Sequence, residues 1–195
     1  MITILFGPPG GGKGTQAAYI TERFGLPHVS TGEMLRIEAS KGTHLGNEVA
    51  PIMAAGNLVP DDLIVRVIES RLAEADAAHG VLLDGFPRTV PQAEALDAML
   101  RRGGKQVDLV LCLDVPEPVL IERLLGRARD EGRPDDNLET IQNRLDVYHR
   151  DTAPVLDYYR TRGAHVARVD GDADLAEVTR RIYDALDRFI GSRIA

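Results

Sequence analysis

The stretch Gly7-Pro8-Pro9-Gly10-Gly11-Gly12-Lys13-Gly14-Thr15 constrains this chain more than any other. It follows the run Ile2-Thr3-Ile4-Leu5-Phe6 and precedes Ala17, Ile20 and Phe24, which recur at helical spacing. The first pattern is that of a buried strand and the second that of one face of a helix. The chain must therefore pass from strand to helix through a glycine-rich turn. The spacing Gly7-x4-Gly12-Lys13 matches a phosphate-binding loop, with Gly14 placed before the hydroxyl of Thr15. Glycines let the backbone curl so that successive N–H groups point inward at phosphate oxygens. The helix start adds a partial positive charge and unpaired donors. Lys13 adds a mobile full charge, and Thr15 offers its hydroxyl to phosphate or magnesium. A plain glycine turn is the alternative, which the Lys and Thr placed after the strand argue against.

The same alternation continues along the chain. Val81 to Leu83, ending at Asp84, reads as a second strand, followed by a helix through Ala93, Leu96 and Leu100. Val107 to Val115 reads as a third strand, and Pro116 opens a helix with Leu120 and Leu124. Ala164 to Val169 is a late strand before a helix carrying Leu175, Val178, Ile182, Leu186 and Phe189; Leu26 to Val29 supplies another short one. Such alternation predicts an α/β fold with a parallel sheet covered on both faces. Residues 31–73 show helical patterns without a strand, so helices are inserted there. Asp130 to Asn137 reads as a polar loop between two helices. The second of these carries Leu138, Ile141, Leu145 and Tyr148, and Pro154 is expected to bend or stop it. Ligands of open parallel sheets bind at the carboxyl ends of strands, which directs attention to the loops leaving Phe6, Asp84 and Asp114.

Composition narrows the classes. Hydrophobic residues make up 44% and charged residues 27% of 195 positions, an ordinary globular mixture that suits one domain. The net charge of −7 argues against a general nucleic-acid binder, although local arginines can oppose it inside a cleft. The longest apolar run, Leu109 to Leu113, is far short of the ~20 residues that span a bilayer. No basic leader or cleavage site is read, so a cytoplasmic protein without membrane partners is expected, and the acidic balance favours a monomer. The single cysteine, Cys112, excludes an internal disulfide and lies in an apolar strand, where it reads as packing.

Five segments together carry a resemblance. They are Gly7 to Gln16, Ser30 to Arg36 (STGEMLR), Gly56 to Asp61 (GNLVPD), Asp84 to Gln92 (DGFPRTVPQ) and Gly126 to Asn137, ending RPDDN. With the helix Glu139 to Pro154, the chain resembles the nucleoside monophosphate kinase family over nearly its whole length, and within it the short-lid adenylate kinase branch. The resemblance implies a three-layer P-loop fold with a five-stranded parallel sheet. It divides the chain into a core (1–29, 60–125 and 137–195), an inserted NMP-binding arm (30–59) and a short lid (126–136). It implies Mg²⁺-dependent transfer of the terminal phosphoryl group of ATP to AMP, giving two ADP.

The site residues carried over are these. Gly10, Gly11, Gly12, Lys13, Gly14 and Thr15 would bind ATP, with Arg123 on its adenine or phosphates and Arg127 and Ala173 also in contact with ATP. Arg36 and Arg88 would clamp the acceptor phosphate, each with a planar fork of donors. Thr31 and Gln92 match the positions that read adenine. Asn57, Leu58, Val59, Gly85, Phe86 and Pro87 would wall that pocket, and Met53 would pack on the base. Arg133 and Arg144 would reach the acceptor or transferring phosphate, so that Lys13, Arg88, Arg123, Arg133 and Arg144 form the catalytic set. Taken singly, each Arg reads equally as a solvated surface residue, and for Arg129 that reading is kept. Asp135 and Asp136 would pair with the lid arginines.

Asp84 is the candidate for holding Mg²⁺ through water, unless it caps the next turn. No zinc is expected, because the lid lacks a long insert and the chain has no Cys-x-x-Cys. The five histidines are scattered and read as solvated or packing residues. No general base is required, since a phosphate oxygen is already anionic near neutral pH. A pyrimidine monophosphate kinase is the nearest alternative, but Thr31, Thr89 and Gln92 favour AMP. A hydrolytic switch is disfavoured: there is no Asn-Lys-x-Asp base reader, and a switch has no use for a second phosphate site.

Overall fold

A computed structural model of the chain describes residues 1–131 and 136–194. Five strands run parallel: β1 (Ile2–Phe6), β2 (His28–Ser30), β3 (Val81–Asp84), β4 (Leu109–Asp114) and β5 (His165–Asp170), arranged β2-β3-β1-β4-β5. Every residue of β1 and β3 is buried, as is β4 up to Leu113. Central strands of a parallel sheet face apolar layers on both sides, which is why they read as uninterrupted runs. At the edge, β5 exposes His165, Arg168 and Asp170. Its charged side chains protect an edge whose backbone has no further strand to pair with.

Alternation along the strands sorts the core into two layers. Ile4, Phe6, Leu83, Val110 and Cys112 pack with Ile68, Ala93, Leu96, Val155 and Tyr159. These come from α4 (Asp61–Leu72), α5 (Val90–Arg102) and α8 (Ala153–Thr161). On the opposite face Leu5, Leu82, Leu109, Leu111 and Leu113 meet Ala17, Ile20, Ile182 and Leu186 from α1 (Lys13–Phe24) and α9 (Leu175–Ile194). The three-layer α/β architecture and the five-stranded parallel sheet expected from the sequence are both present. Cys112 is buried, and burial pushes its thiol up to about 12, consistent with packing.

Between β2 and α4 the chain forms α2 (Thr31–Ser40) and α3 (His44–Ala54), the strandless segment. Their ends are set locally: Ser30 Oγ accepts from Glu33 N–H at 3.4 Å, and Thr43 Oγ1 accepts from Gly46 N–H at 3.0 Å.

A smaller cluster of Leu120, Leu124, Ile141 and Leu145 joins α6 (Glu117–Glu131) to α7 (Leu138–Val147). Helix α6 runs to Glu131, so Asp130 is helical and not the start of a polar loop. Pro154 does not stop the helix that follows. The chain passes from α7 through a π turn at Tyr148–Thr152 directly into α8, with Pro154 in its first turn. A widened turn accommodates the missing N–H and the ring that would otherwise crowd the preceding carbonyl. Strand limits differ slightly from the sequence reading, with β4 beginning at Leu109 and not Val107, and β5 at His165 and not Ala164. No helix among the described residues is long and apolar enough to cross a membrane.

Candidate active site

The carboxyl ends of β1, β2 and β3 open on a cleft of about 1290 Å³. The glycine loop, the Asp84–Arg88 turn, Met53 to Leu58 in part, and α6 with Arg144 of α7 form its walls. Gly12 is the N-cap of α1 at φ 82°, a left-handed conformation that glycine adopts without a Cβ penalty. This turn brings Lys13 into the first helical position with its side chain folded back over the loop. Lys13 Nζ donates to the carbonyls of Gly7 and Pro8, both at 2.8 Å.

Electrostatics in the cleft are unbalanced toward cations. Burial, reinforced by Arg88, Arg144 and Arg127 and opposed by Asp84, lowers the Lys13 ammonium to about 8. Burial and the neighbouring Arg144 and Arg36 likewise lower Arg88, against the attraction of Asp84. Two cations in one cleft are thus disfavoured in their charged forms, and a polyanion entering between them reverses that cost.

Asp84 ends β3, with one oxygen 3.2 Å from His28 Nε2. Burial opposes its ionisation, but the His28 hydrogen bond and the charges of Lys13, His28 and Arg88 hold the carboxyl below its ordinary value. His28 is therefore a site neighbour and not merely solvated or packing. Parallel register sets His28 opposite Leu82, two residues before Asp84, so both side chains lie on one face of the sheet. The sequence does not print that register.

The turn after Asp84 organises a second wall of the cleft. Gly85 adopts φ +78°, and its carbonyl accepts from Thr31 Oγ1 and from Arg88 Nε, both at 2.8 Å. A Cβ there would lie 2.8 Å from Thr31 Oγ1 and 2.9 Å from Arg88 Nη2, so only glycine leaves the turn intact. Arg36 and Arg88 both line the cleft, as do Met53, Asn57, Leu58, Phe86 and Pro87. Thr31, Val59 and Gln92 are buried behind that lining. Gln92 is held at both ends of its amide: Oε1 accepts from Arg88 N–H at 2.7 Å, and Nε2 donates to Asp61 Oδ1 at 2.7 Å. Asp61 Oδ2 also accepts from the Thr89 hydroxyl at 3.0 Å.

On the opposite wall Arg123 donates to the Gly171 carbonyl at 3.0 Å, which ties α6 to the β5–α9 loop that carries Ala173. Ala173 itself packs against the α1–α9 core layer. Asp136, with no exposed side-chain surface, accepts from Arg127 Nε and Nη2 at 2.6 and 2.8 Å and from Arg144 Nη1 at 2.6 Å. Arg129 also borders the cleft and is itself exposed. Arg133, Pro134 and Asp135 lie outside the described residues.

This geometry sets the glycine loop and the arginines Arg36 and Arg88 on one cleft, and comparison with known proteins shows the family. The sequence pattern that defines the family described as "Adenylate kinase" matches residues 5–164. The chain belongs to the adenylate kinase family. A relative from Stenotrophomonas maltophilia (strain R551-3), named "Adenylate kinase", is 48% identical over 186 residues, covering 95% of this chain and 99% of its own. One from Xanthomonas campestris pv. campestris (strain B100), of the same name, is 50% identical over 188 residues, covering 96% and 100%. The resemblance drawn from five short segments therefore extends across the adenylate kinase scaffold as a whole.

Within that adenylate kinase frame the donors available to a divalent ion are few and hard. Asp84 and the Thr15 hydroxyl both reach the cleft. No group of three or more His, Cys, Asp or Glu side chains able to hold a metal occurs among the described residues. One acidic oxygen donor beside a phosphate loop fits Mg²⁺, which keeps several waters and takes its remaining ligands from substrate phosphates.

Sequence reasoning found the loop and the arginines but missed His28, Asp61 and Asn143. Asn143 Nδ2 donates to the Ala55 carbonyl at 2.8 Å and to Asn57 Oδ1 at 3.0 Å, which pins the end of the inserted arm to α7. No local pattern marks these residues, because each acts across elements distant in sequence.

Proposed function

We propose that the protein transfers the terminal phosphoryl group of ATP to AMP, reversibly, giving two molecules of ADP. The observation that carries this reading is the placing of Lys13 and Arg88, two cations whose charged forms burial and neighbouring arginines disfavour, on the lining of one cleft. A hydrolase needs one such anion site; a transferase between two nucleotides needs two. The glycine loop from Gly10 to Thr15 would hold the ATP phosphates, with Arg123 and Arg127 along the α6 wall. Arg36 and Arg88 would hold the AMP phosphate, and Thr31, Gln92 and the segment Asn57 to Val59 with Gly85 to Pro87 its base. Arg144 and Arg133 would serve the moving group.

The chemistry asks little covalent work of the protein. An AMP phosphate oxygen attacks the γ-phosphorus in line, the bond to the β–γ bridging oxygen breaks, and that oxygen leaves on ADP. No proton has to be removed, so no general base is required. Positioning and compensation of charge on the equatorial oxygens are the tasks, and Lys13, Arg88 and Arg144 supply the charge. Magnesium, when bound through water at Asp84, supplies further charge neutralisation on the ATP phosphates. Residues 30–59 and 126–136 act as the arm and lid on a core of 1–29, 60–125 and 137–195, and their closure excludes water as a competing acceptor.

The names of the relatives favour AMP over a pyrimidine acceptor. A coupled assay with MgATP and each of AMP, CMP, UMP and GMP tests the reading. AMP is expected to exceed every other acceptor in kcat/KM, and equal or better turnover of UMP or CMP would refute the assignment.

A further inference from the structure

The Gln92 side chain is an amide, and an amide reads a base by presenting a donor beside an acceptor. Which of its two ends faces which way then decides what it selects. Here neither end is free to choose. Arg88 N–H is a donor only, and it meets one end at 2.7 Å. The Asp61 carboxylate accepts and does not donate, and it meets the other end at 2.7 Å. The oxygen must therefore face Arg88 and the NH₂ must face Asp61. An inverted amide would set N–H against N–H and oxygen against carboxylate, in a position with 2% of its surface exposed.

Thr89 closes the arrangement into a ring. Its hydroxyl donates to Asp61 Oδ2 at 3.0 Å, while its oxygen accepts from Gln92 N–H at 3.2 Å as the N-cap of α5. Asp61, in the first turn of α4, is thus fixed from α5 at both oxygens. With those contacts satisfied, Gln92 retains one N–H and one oxygen lone pair of fixed handedness. That pair complements a base edge with a ring-nitrogen acceptor next to an exocyclic amine. It opposes an edge with a ring N–H next to a carbonyl.

We infer that Asp61, steadied by Thr89, is a specificity-determining positioning residue: it locks the polarity of the Gln92 amide and so makes the acceptor site select amino-edge over keto-edge nucleotides. The inference rests on the proposal that Gln92 faces the acceptor base, and it adds what fixes the direction of that reading. AMP and IMP isolate it, since they share size, sugar and phosphate and differ at the edge in question.

The test is kcat/KM for AMP and for IMP, with MgATP as donor, in the parent protein and in Asp61→Leu, Thr89→Val and Gln92→Leu. A site built to hydrogen-bond one edge rejects the other strongly, so the parent is expected to favour AMP by at least ~10²-fold. Asp61→Leu removes the acceptor at nearly constant shape and is expected to lower the AMP/IMP ratio at least ~10-fold, chiefly through KM for AMP. Thr89→Val is expected to lower it in the same direction, and it decides the matter if Asp61→Leu does not fold. A merely structural loss would depress both substrates together and leave the ratio standing. If Gln92→Leu lowers the ratio while both other variants keep it, the polarity lock is wrong although the base-reading proposal survives. If Gln92→Leu itself leaves the ratio unchanged, the base-reading assignment fails and this inference fails with it.

Discussion

Replacing Asp136 with alanine gives the sharpest test of how the cleft's cations are held. Its carboxylate has no exposed surface, and among the described residues it takes charge-assisted hydrogen bonds from Arg127 Nε and Nη2 and from Arg144 Nη1. Removing one partner of a fully buried ion pair costs about 3–5 kcal/mol, mostly because the other charge is stranded. Here the groups that lose Asp136 are not fully buried: the Arg127 and Arg144 side chains are 25% and 21% exposed, so water reaches part of each. That places the expected loss near the lower end, about 2–3 kcal/mol. For a chain of this size each kcal/mol shifts the melting temperature by roughly 2–4 °C, so a fall of about 4–12 °C follows.

Urea unfolding of the unliganded protein, with thermal melts beside it, measures the effect, and Asp62→Ala is the control. Asp62 pairs with Arg66 at 3.6 Å, but those side chains are 79% and 72% exposed, and such pairs contribute under ~1 kcal/mol. A loss at Asp136→Ala no larger than the Asp62 control would refute the claim that one buried carboxylate organises Arg127 and Arg144.

Three further outcomes are expected. Lys13→Ala lowers kcat by at least ~10²-fold with the fold retained, the magnitude of a lost preorganised charge contact, as steady-state assay with circular dichroism would record. Gly85→Ala raises KM for AMP, because its Cβ would meet Thr31 and Arg88 at under 3 Å, while KM for ATP changes much less. Lys13 also predicts a pH signature. In the free protein its ammonium loses its proton near pH 8, and a bound phosphate raises that value. Nucleotide binding at pH 8.5 to 9 should therefore take up a proton and weaken as pH rises. Calorimetry in buffers of different ionisation enthalpy detects that proton, and its absence would contradict the electrostatic account.

Much of this architecture was legible in the residues, for reasons that are local. The glycine loop and the buried strands each record a constraint acting within a few positions. The place of the cleft was legible because the glycine loop and the Asp84–Arg88 turn leave strand ends, where parallel sheets hold ligands. What escaped depended on registration between distant elements. His28 meets Asp84 only through the pairing of β2 with β3. Asp61 reaches Gln92 only because α4 and α5 share one face of the sheet. Pro154 signalled an irregularity whose form, a π turn inside a continuing helix, depended on packing of the flanking segments.

The central claim is that one cleft passes a phosphoryl group from nucleotide to nucleotide without releasing it to water. ATP labelled at its γ-phosphorus, incubated with Mg²⁺ and AMP, measures this directly. Label should appear in the β-position of ADP in step with the loss of AMP, with inorganic phosphate at background. Labelled inorganic phosphate formed at a comparable rate, or at a rate indifferent to AMP, would contradict it.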